Sequence, residues 1–311
     1  MGAKKVKTVN SISGGKTSAY IAVHYPADYE VFSVVCIDDK ECTPTDKALI
    51  DYANNKLAPF HAEYGDFIAT AELDETLIAM MDLEQYLGRE IIWVRGKSFD
   101  KILTTANTHG GAPNRLPSWA RRYCTDEMKL VPIFKWWLNN VGEKVNMRIG
   151  FRFDEFDRME RFFNNSDPCN FKIATSCSLR GQRQQKHTNF NWRFCHFPLV
   201  KAGITETIVK DYWANNGWLT PNLFNTNSHQ INFPPISNCV GCFHKKVETL
   251  SIMSHIAPAK MRWFAFKETL GKGTWLDSQI TYAEIIENNK DWIPEMLSES
   301  LSHCDSGGCH D

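Results

Sequence analysis

The chain has 311 residues, of which 43% are hydrophobic and 23% are charged, and its formal net charge is −1. This composition is that of an ordinary globular protein and excludes the disordered and fibrous classes. The balanced charge also excludes a protein-wide positive field, so any contact with nucleic acid needs a local basic patch. No apolar run approaches the roughly 20 residues that span a bilayer, and the basic start lacks the apolar stretch of a signal peptide. We therefore expect a cytoplasmic protein with no membrane partner.

The first 150 residues alternate between strand and helix patterns. Short apolar runs predict strands at residues 6–12, 31–37, 91–95 and 145–151. Helical spacing predicts helices at residues 17–24, 45–57, 72–87, 99–107 and 126–140. This alternation indicates a Rossmann-like α/β fold, a parallel sheet with helices on both faces. Ligands of such sheets bind beyond the carboxyl ends of the strands, so the loops after Ile12, Ile37, Arg95 and Gly150 are the places to look.

The periodicity weakens after residue 151. Residues 164–191 are rich in Asn, Gln, Ser and Arg without a clear period, and we interpret them as a long insertion or lid. Residues 205–216 and 247–270 have helical spacing. We predict a core at residues 1–151, a mixed and mainly helical substrate- and cysteine-containing region at 152–303, and a mobile tail at 304–311. The sequence carries no signal for an oligomeric state.

The strongest local signal follows the first predicted strand and opens a helix. It reads Ser11-Ile12-Ser13-Gly14-Gly15-Lys16-Thr17-Ser18. Two adjacent glycines let the backbone curl and present successive N–H groups, the hydroxyls add donors, and the helix start contributes partial positive charge. The loop has neither the Walker spacing nor the G-x-G-x-x-G spacing. A Ser/Gly turn that only caps a helix is the alternative, but the position after a first strand favours a phosphate cradle. The core at 1–151 is thus predicted to bind a nucleotide.

Basic and acidic side chains fall in the loops that the sheet argument places on the ligand side. The cations are Arg121, Arg122, Lys129, Arg152 and Arg158. Arginine can donate two parallel hydrogen bonds to phosphate or sulfate oxygens, which lysine cannot. The alternative interpretation of each of these residues is a solvent-exposed surface charge. The carboxylates of Asp38 and Asp39 could accept hydrogen bonds from a ribose or an adenine, or hold Mg²⁺ through water. The alternative is that they cap the helix that follows. Asp154 and Glu155 are neighbours, so in a strand only one of them faces the site.

Five segments, in order, resemble the phosphoadenosine-phosphosulfate (PAPS) reductase family of the PP-loop ATP pyrophosphatases, with a likeness to phage and mobile-element members. They are Ser13-Gly14-Gly15-x-x-Ser18, Cys36-Ile37-Asp38-Asp39 with Thr43-Pro44, Arg121 to Thr125 with Met128-Lys129, Gly150 to Glu155 with Arg158, and Phe197-Pro198-Leu199 through Asn238-Cys239-Val240-Gly241-Cys242-Phe243. The likeness covers residues 9 to about 245. Many members have Asp where this chain has Thr17, which puts the magnesium or phosphate arrangement in doubt.

The resemblance implies an adenylyl nucleotide, ATP or PAPS, with Mg²⁺ as cofactor. It implies a nucleotide site formed by Ser11, Ser13, Gly14, Gly15, Lys16, Thr17, Ser18, Asp38, Asp39, Arg122, Lys129 and Arg158. Lys16 and Arg152 are the expected catalytic cations, and Cys309 is the third catalytic candidate. PAPS reductases carry a nucleophilic cysteine on a mobile tail, which Cys309-His310 resembles; a polar chain end is the alternative.

Ten cysteines without an export signal indicate metal ligands, redox thiols or buried apolar thiols. Cys239 and Cys242 form a C-x-x-C, and Cys124 is placed beside them by the family likeness. With a fourth ligand such as Cys177, Cys195 or His244, they predict a Zn²⁺ or [4Fe–4S] site, Cys177 being our choice. A redox dithiol or purely structural thiols are the alternatives.

Three functions fit these features. The first is an enzyme that cleaves ATP between the α and β phosphates and couples adenylation to sulfur transfer. The second is a thiol-dependent PAPS or APS reductase with a thioredoxin-like protein partner. The third is an inactive nucleotide sensor. A nucleic acid is a further candidate partner, because residues 180–187 are basic and are followed by Phe190 and Trp192; a solvated loop is the alternative.

Overall fold

A computed structural model describes residues 5–105, 115–118, 121–164, 167–179, 182–219, 229–234, 236–271 and 273–290, and for 173–179 and 182–187 it describes the backbone alone. The strands are β1 Thr8–Ile12, β2 Tyr29–Ser33, β3 Cys36–Ile37, β4 Ala69–Thr70, β5 Ile91–Val94, β6 Val145–Arg148, β7 Asn170–Leu179, β8 Gln182–Asn191, β9 Arg193–His196, β10 Trp218–Leu219 and β11 His229–Gln230. The helices are α1 Lys16–His24, α2 Lys47–Leu57, α3 His61–Tyr64, α4 Asp74–Leu87, α5 Phe99–Thr104, α6 Tyr123–Thr125, α7 Val131–Asn140, α8 Phe156–Asn164, α9 Pro198–Lys201, α10 Glu206–Asn216, α11 Val247–Ile256, α12 Pro258–Leu270 and α13 Tyr282–Asn288.

The central sheet is parallel and has the strand order β5-β2-β1-β6-β9. β1 lies in its middle, because Val9 pairs with Tyr29 of β2 on one side and with Met147 of β6 on the other. Val9 is fully buried, as expected for a strand covered on both faces. The predicted Rossmann-like α/β fold with a mainly helical carboxyl-terminal region is confirmed.

The chain divides into two compact units, each built from three segments. The first unit contains Met1–Phe32, Leu83–Ile92 and Phe134–Ile231, and the second contains Ser33–Asp82, Trp93–Ile133 and Asn232–Asp311. Residue 151, where we placed a boundary from the sequence, lies inside the third segment of the first unit. In the described part of the chain, no helix has both the length and the apolar character needed to cross a bilayer.

The apolar run at residues 31–37, predicted as one strand, is two strands in different sheets. β2 ends at Ser33, whose hydroxyl donates to the carbonyl of Met128 at 2.7 Å. Cys36 and Ile37 then form β3, which pairs antiparallel with Thr70 and Ala69. The prediction of a single strand was wrong because the apolar run continues through the bend and contains no residue that signals it.

Other predicted elements shift at their ends. The strand predicted at 145–151 stops at Arg148, and the helix predicted at 99–107 stops at Thr104. The helical region at 247–270 is two helices, since Ala257 adopts φ −133° and ψ 64° immediately before Pro258. A residue before proline is disfavoured in the helical conformation, which explains the break.

The region predicted as an irregular insertion contains a long hairpin. β7 and β8 pair antiparallel over ten residues each, from Asn170 opposite Asn191 to Leu179 opposite Gln182. At the base of the hairpin, the ring of Phe171 stacks on that of Phe134 in α7, with centroids 4.3 Å apart, and Phe190 contacts the same ring edge-on at 5.3 Å. These aromatic contacts pack the base of the hairpin against α7 within the first unit.

The second unit has its own apolar core. Buried aromatic side chains from α5, α12, α13 and the segment between α12 and α13 form its centre, namely Phe99, Trp263, Phe264, Trp275 and Tyr282. The carboxylate of Glu268 accepts hydrogen bonds from the amides of Trp275 at 2.9 Å and Tyr282 at 2.6 Å. It thereby fixes the segment between α12 and α13.

Candidate phosphate-binding site

The loop between β1 and α1 is a tight turn at the carboxyl end of the central strand. Gly14 has φ +86°, a conformation that only glycine adopts without strain. Gly15 precedes α1 in an extended conformation with φ −109° and no side-chain cap. The turn is braced by Ser18, whose buried hydroxyl donates to Gly15 O at 3.0 Å and accepts from Ser13 N at 3.1 Å.

The first N–H groups of α1 lack acceptors. The amide of Ser13 is satisfied by Ser18, and Ala19 N donates to Gly15 O at 3.1 Å. Between them, the amides of residues 14–17 have no hydrogen-bond acceptor within the described part of the chain. The first turn of α1 also contains no acidic residue. A helix start with unpaired donors and no carboxylate is an anion-accepting position.

Arg152 brings a guanidinium to this helix start. Its Nη1 donates to the hydroxyl of Thr17 at 3.2 Å. Three carboxylates surround it at 3.3 Å (Asp154), 3.5 Å (Glu155) and 3.6 Å (Glu206). Charge-assisted hydrogen bonds are typically about 2.7–2.9 Å long, so all three contacts are loose. The guanidinium is therefore oriented without being locked into one tight pair.

A turn after β6 explains why two neighbouring carboxylates reach the same arginine. Residues Phe153–Glu155 form a 3₁₀ turn, so Asp154 and Glu155 both contact Arg152. The strand alternation expected there from the sequence does not apply, because β6 has already ended. Glu155 also pairs with Arg158 at 2.8 Å, and the Arg158 guanidinium lies 5.0 Å from the ring centroid of Phe151.

Two further side chains support the site, and sequence reasoning missed both. The indole of Trp213 donates to Lys16 O at 2.9 Å, and Trp213 is 3% exposed. Glu206 of α10 contacts Arg152 and pairs with Lys210 at 3.2 Å. Trp213 is 197 positions from Lys16, and no sequence spacing signals such a contact.

The structure brings most of the predicted phosphate-loop residues together. Residues 13–18, Arg152 and Arg158 all belong to the first unit. Ser11 lies inside β1, in register with Val31 and within the strand predicted at residues 6–12. A nucleotide contact of Ser11 stays a prediction. Gly150 approaches the loop closely: a methyl group built on it would lie 3.6 Å from Thr17 Cγ2.

Asp38 and Asp39 belong to the second unit, where both make local contacts. The carboxylate of Asp39 accepts from Glu41 N at 2.8 Å and caps a short 3₁₀ turn. That of Asp38 accepts from the Ser98 hydroxyl at 2.5 Å, and the Asp38 amide donates to Asp100 at 2.7 Å. The helix α2 is capped by Asp46 instead. A nucleoside contact of Asp38 or Asp39 stays a prediction.

Arg122 and Lys129 also belong to the second unit, on the helical run that begins at Tyr123. Arg122 is exposed at its start. Lys129 lies in a π-helical segment, Asp126–Leu130, and pairs with the buried carboxylate of Glu72 at 3.0 Å. Burial is the largest single effect on Lys129 and opposes its charged form, but Glu72, Cys239 and Cys242 together outweigh it and the pKa of Lys129 is raised. Lys129 therefore has a structural partner that the sequence did not reveal.

Three of the predicted metal ligands lie close to one another in the second unit. Burial, followed by the neighbouring Cys242, raises the pKa of Cys124 to about 12. Burial, Glu72 and the other two thiols raise the pKa of Cys239. The turn that carries Cys239 and Cys242 is held by a hydrogen bond from Val240 N to Ala71 O at 2.8 Å. Burial therefore disfavours the thiolate forms of Cys124 and Cys239.

The metal assignment itself stays a prediction. Among the described residues, no group of three or more His, Cys, Asp or Glu side chains is placed to hold a metal ion. Cys177 lies in β7, opposite Gln184, where the backbone alone is described. Cys195 is a partly buried thiol in β9. Cys309 lies outside the described residues.

Fold and site together define an α/β protein with an anion-accepting helix start beside an oriented arginine. Comparisons with models of known protein families, with curated proteins and with solved structures found no match to this chain. The resemblance to the PAPS reductase family therefore rests on the motifs alone.

We predict that Gly14→Ala destroys the cradle. Alanine at φ +86° costs about 1–2 kcal/mol, and relief of that strain turns the neighbouring amides away from the anion. Gly203→Ala is the matched control, because Gly203 has φ +68° with open space around it. Urea unfolding should show similar destabilisation of both variants, whereas pyrophosphate affinity, measured by calorimetry, should fall only for Gly14→Ala. Equal pyrophosphate affinity of the two variants would contradict the cradle.

We predict that Lys129→Met destabilises the fold by about 2 kcal/mol, because the buried Glu72 carboxylate loses its ion-pair partner. The expected loss is below that of a fully buried pair, since 27% of the Lys129 side chain is exposed. The double variant Lys129→Met/Glu72→Gln should regain most of this loss in urea unfolding. Unchanged stability with reduced nucleotide affinity would instead make Lys129 a ligand contact.

Proposed function

We propose that the protein is a nucleotide-dependent enzyme that binds ATP at the start of α1 and cleaves it between the α and β phosphates. The observation that carries this proposal is the row of amides at residues 14–17 without acceptors, next to the loosely held Arg152. Successive amides at a helix start suit the two linked phosphates of a pyrophosphate group. This favours a substrate that contains one.

Each charged side chain of the site has a role in this reaction. Arg152 would exchange its loose carboxylate contacts for phosphoryl oxygens, which carry more charge. Lys16, in the loop itself, would balance charge on the pyrophosphate as it leaves. Asp154, Glu155 and Glu206 keep the guanidinium in position before the nucleotide arrives. Mg²⁺ enters as part of the MgATP substrate.

The reaction is an in-line displacement at the α phosphorus. An oxygen of the acceptor attacks that phosphorus, the bond to the bridging oxygen of the β phosphate breaks, and pyrophosphate leaves. A sulfur nucleophile then displaces AMP from the adenylated acceptor. The loop contributes positioning and charge stabilisation, which are the main protein contributions to phosphoryl chemistry. The sulfur step follows from the family resemblance alone.

We predict that Arg152→Gln weakens binding of α,β-methylene-ATP by about 10- to 100-fold, because hydrogen bonds to a charged group are lost. Lys210→Gln is the matched control, because it removes one positive charge from the same charged cluster at the pair of Lys210 with Glu206. Calorimetry should give near-wild-type affinity for this control. A wild-type affinity for Arg152→Gln would remove the arginine from the site.

Incubation of the wild-type protein with MgATP, PAPS or APS, each in turn, distinguishes the three candidate functions. The proposal expects pyrophosphate release from ATP. Sulfite release from PAPS or APS would assign the protein to the reductases, and binding without any product would make it a sensor.

A further inference from the structure

The β7–β8 hairpin is a basic segment of the chain. Its residues 170–191 include four Lys or Arg residues and no Asp or Glu. Because the whole chain has a formal charge of −1, the rest of the chain carries −5 without these four cations. The hairpin is also rich in amide side chains, which both donate and accept hydrogen bonds. A basic, amide-rich ribbon on an acidic protein is a local patch for a polyanion.

The register of the hairpin sorts its residues onto two faces. Directly paired residues share a face, and successive residues alternate between faces. One face carries the pairs Phe171–Phe190, Ile173–Thr188, Thr175–Lys186, Cys177–Gln184 and Leu179–Gln182. The other carries the pairs Asn170–Asn191, Lys172–Asn189, Ala174–His187, Ser176–Gln185 and Ser178–Arg183. We call the first the aromatic face and the second the polar face.

The aromatic face is directed toward the first unit at the base of the hairpin. Phe171 and Phe190 both contact Phe134, whose side chain is fully buried, and Phe171 lies 6.2 Å from the ring of Trp192. At the base of the hairpin, Lys172, Asn189 and Asn191 of the polar face are exposed, whereas Thr188 is the only exposed residue among the described side chains of the aromatic face. The polar face therefore carries more of the exposed residues there.

The dimensions of the hairpin suit one form of nucleic acid. Ten residues per strand extend roughly 33 Å, about one turn of a DNA duplex. The major groove of B-form DNA admits a two-stranded ribbon, whereas that of duplex RNA is too deep and narrow. Asn and Gln read adenine and Arg reads guanine in that groove. Single strands are bound chiefly by exposed aromatic rings, and the two aromatic rings of this hairpin pack against the first unit.

We propose that the polar face of the β7–β8 hairpin binds duplex DNA in its major groove. The register places the cationic residues Lys172 and Arg183 and the amide residues Asn189 and Gln185 on this one face. This surface uses none of the phosphate-loop residues, so it is independent of the proposed ATP chemistry.

The test is fluorescence anisotropy of the full-length protein with a labelled 24-base-pair DNA duplex. We expect binding whose logarithmic salt slope is about −2, from Lys172 and Arg183 on the polar face. Lys172→Gln/Arg183→Gln should weaken it about tenfold and reduce the slope by about 2. The matched control, Lys186→Gln/Lys201→Gln, removes two charges away from the polar face and should weaken binding less than threefold. Wild-type thermal unfolding of both double variants confirms that they are folded.

Three results would overturn the proposal. The first is no DNA binding at 50 mM salt, the second is an equal loss in both double variants, and the third is binding of duplex RNA or a single strand as tight as that of duplex DNA. Loss of DNA binding with intact ATP binding would leave the proposed enzymatic function standing.

Discussion

The unpaired amides at the start of α1 are the constraint on which the site depends. Gly14 must adopt a positive φ for the chain to leave β1 and enter the helix in so few residues, and Ser18 uses its hydroxyl to hold that turn. Neither contact satisfies the donors at residues 14–17 in the described structure. A bound anion would supply the missing acceptors, and Trp213 fixes the loop from the opposite side through Lys16 O.

The balance of charges around Arg152 explains why its guanidinium lies beside this helix start without forming one tight ion pair. Arg152 has three acidic neighbours at 3.3–3.6 Å, whereas Arg158 and Lys129 each have one tight partner, at 2.8 and 3.0 Å. The looser arrangement leaves Arg152 able to change partners at small cost. Lys129 pairs with the buried carboxylate of Glu72, which belongs to the same unit. The position of Lys129 in the sequence motif does not indicate this pair.

The sequence predicted what depends on local pattern. The α/β alternation, the loop after β1 and the helix predicted at residues 205–216 follow from periodicity and glycine signals. It did not predict the bend after Ser33, because Val34 and Val35 continue the apolar run. It also could not separate Ser18, which braces the turn, from Ser13, since both are hydroxyls in one loop. Contacts such as Trp213 to Lys16 or Lys129 to Glu72 join distant positions and need the fold.

A crystal structure of the protein with α,β-methylene-ATP and Mg²⁺ tests the central claim most directly. We expect phosphoryl oxygens about 2.7–3.2 Å from the backbone nitrogens of Gly15 and Lys16, with the Arg152 guanidinium moved from its carboxylates onto the nucleotide. Nucleotide bound elsewhere at saturating concentration, with the turn at Gly14 empty, would contradict the account.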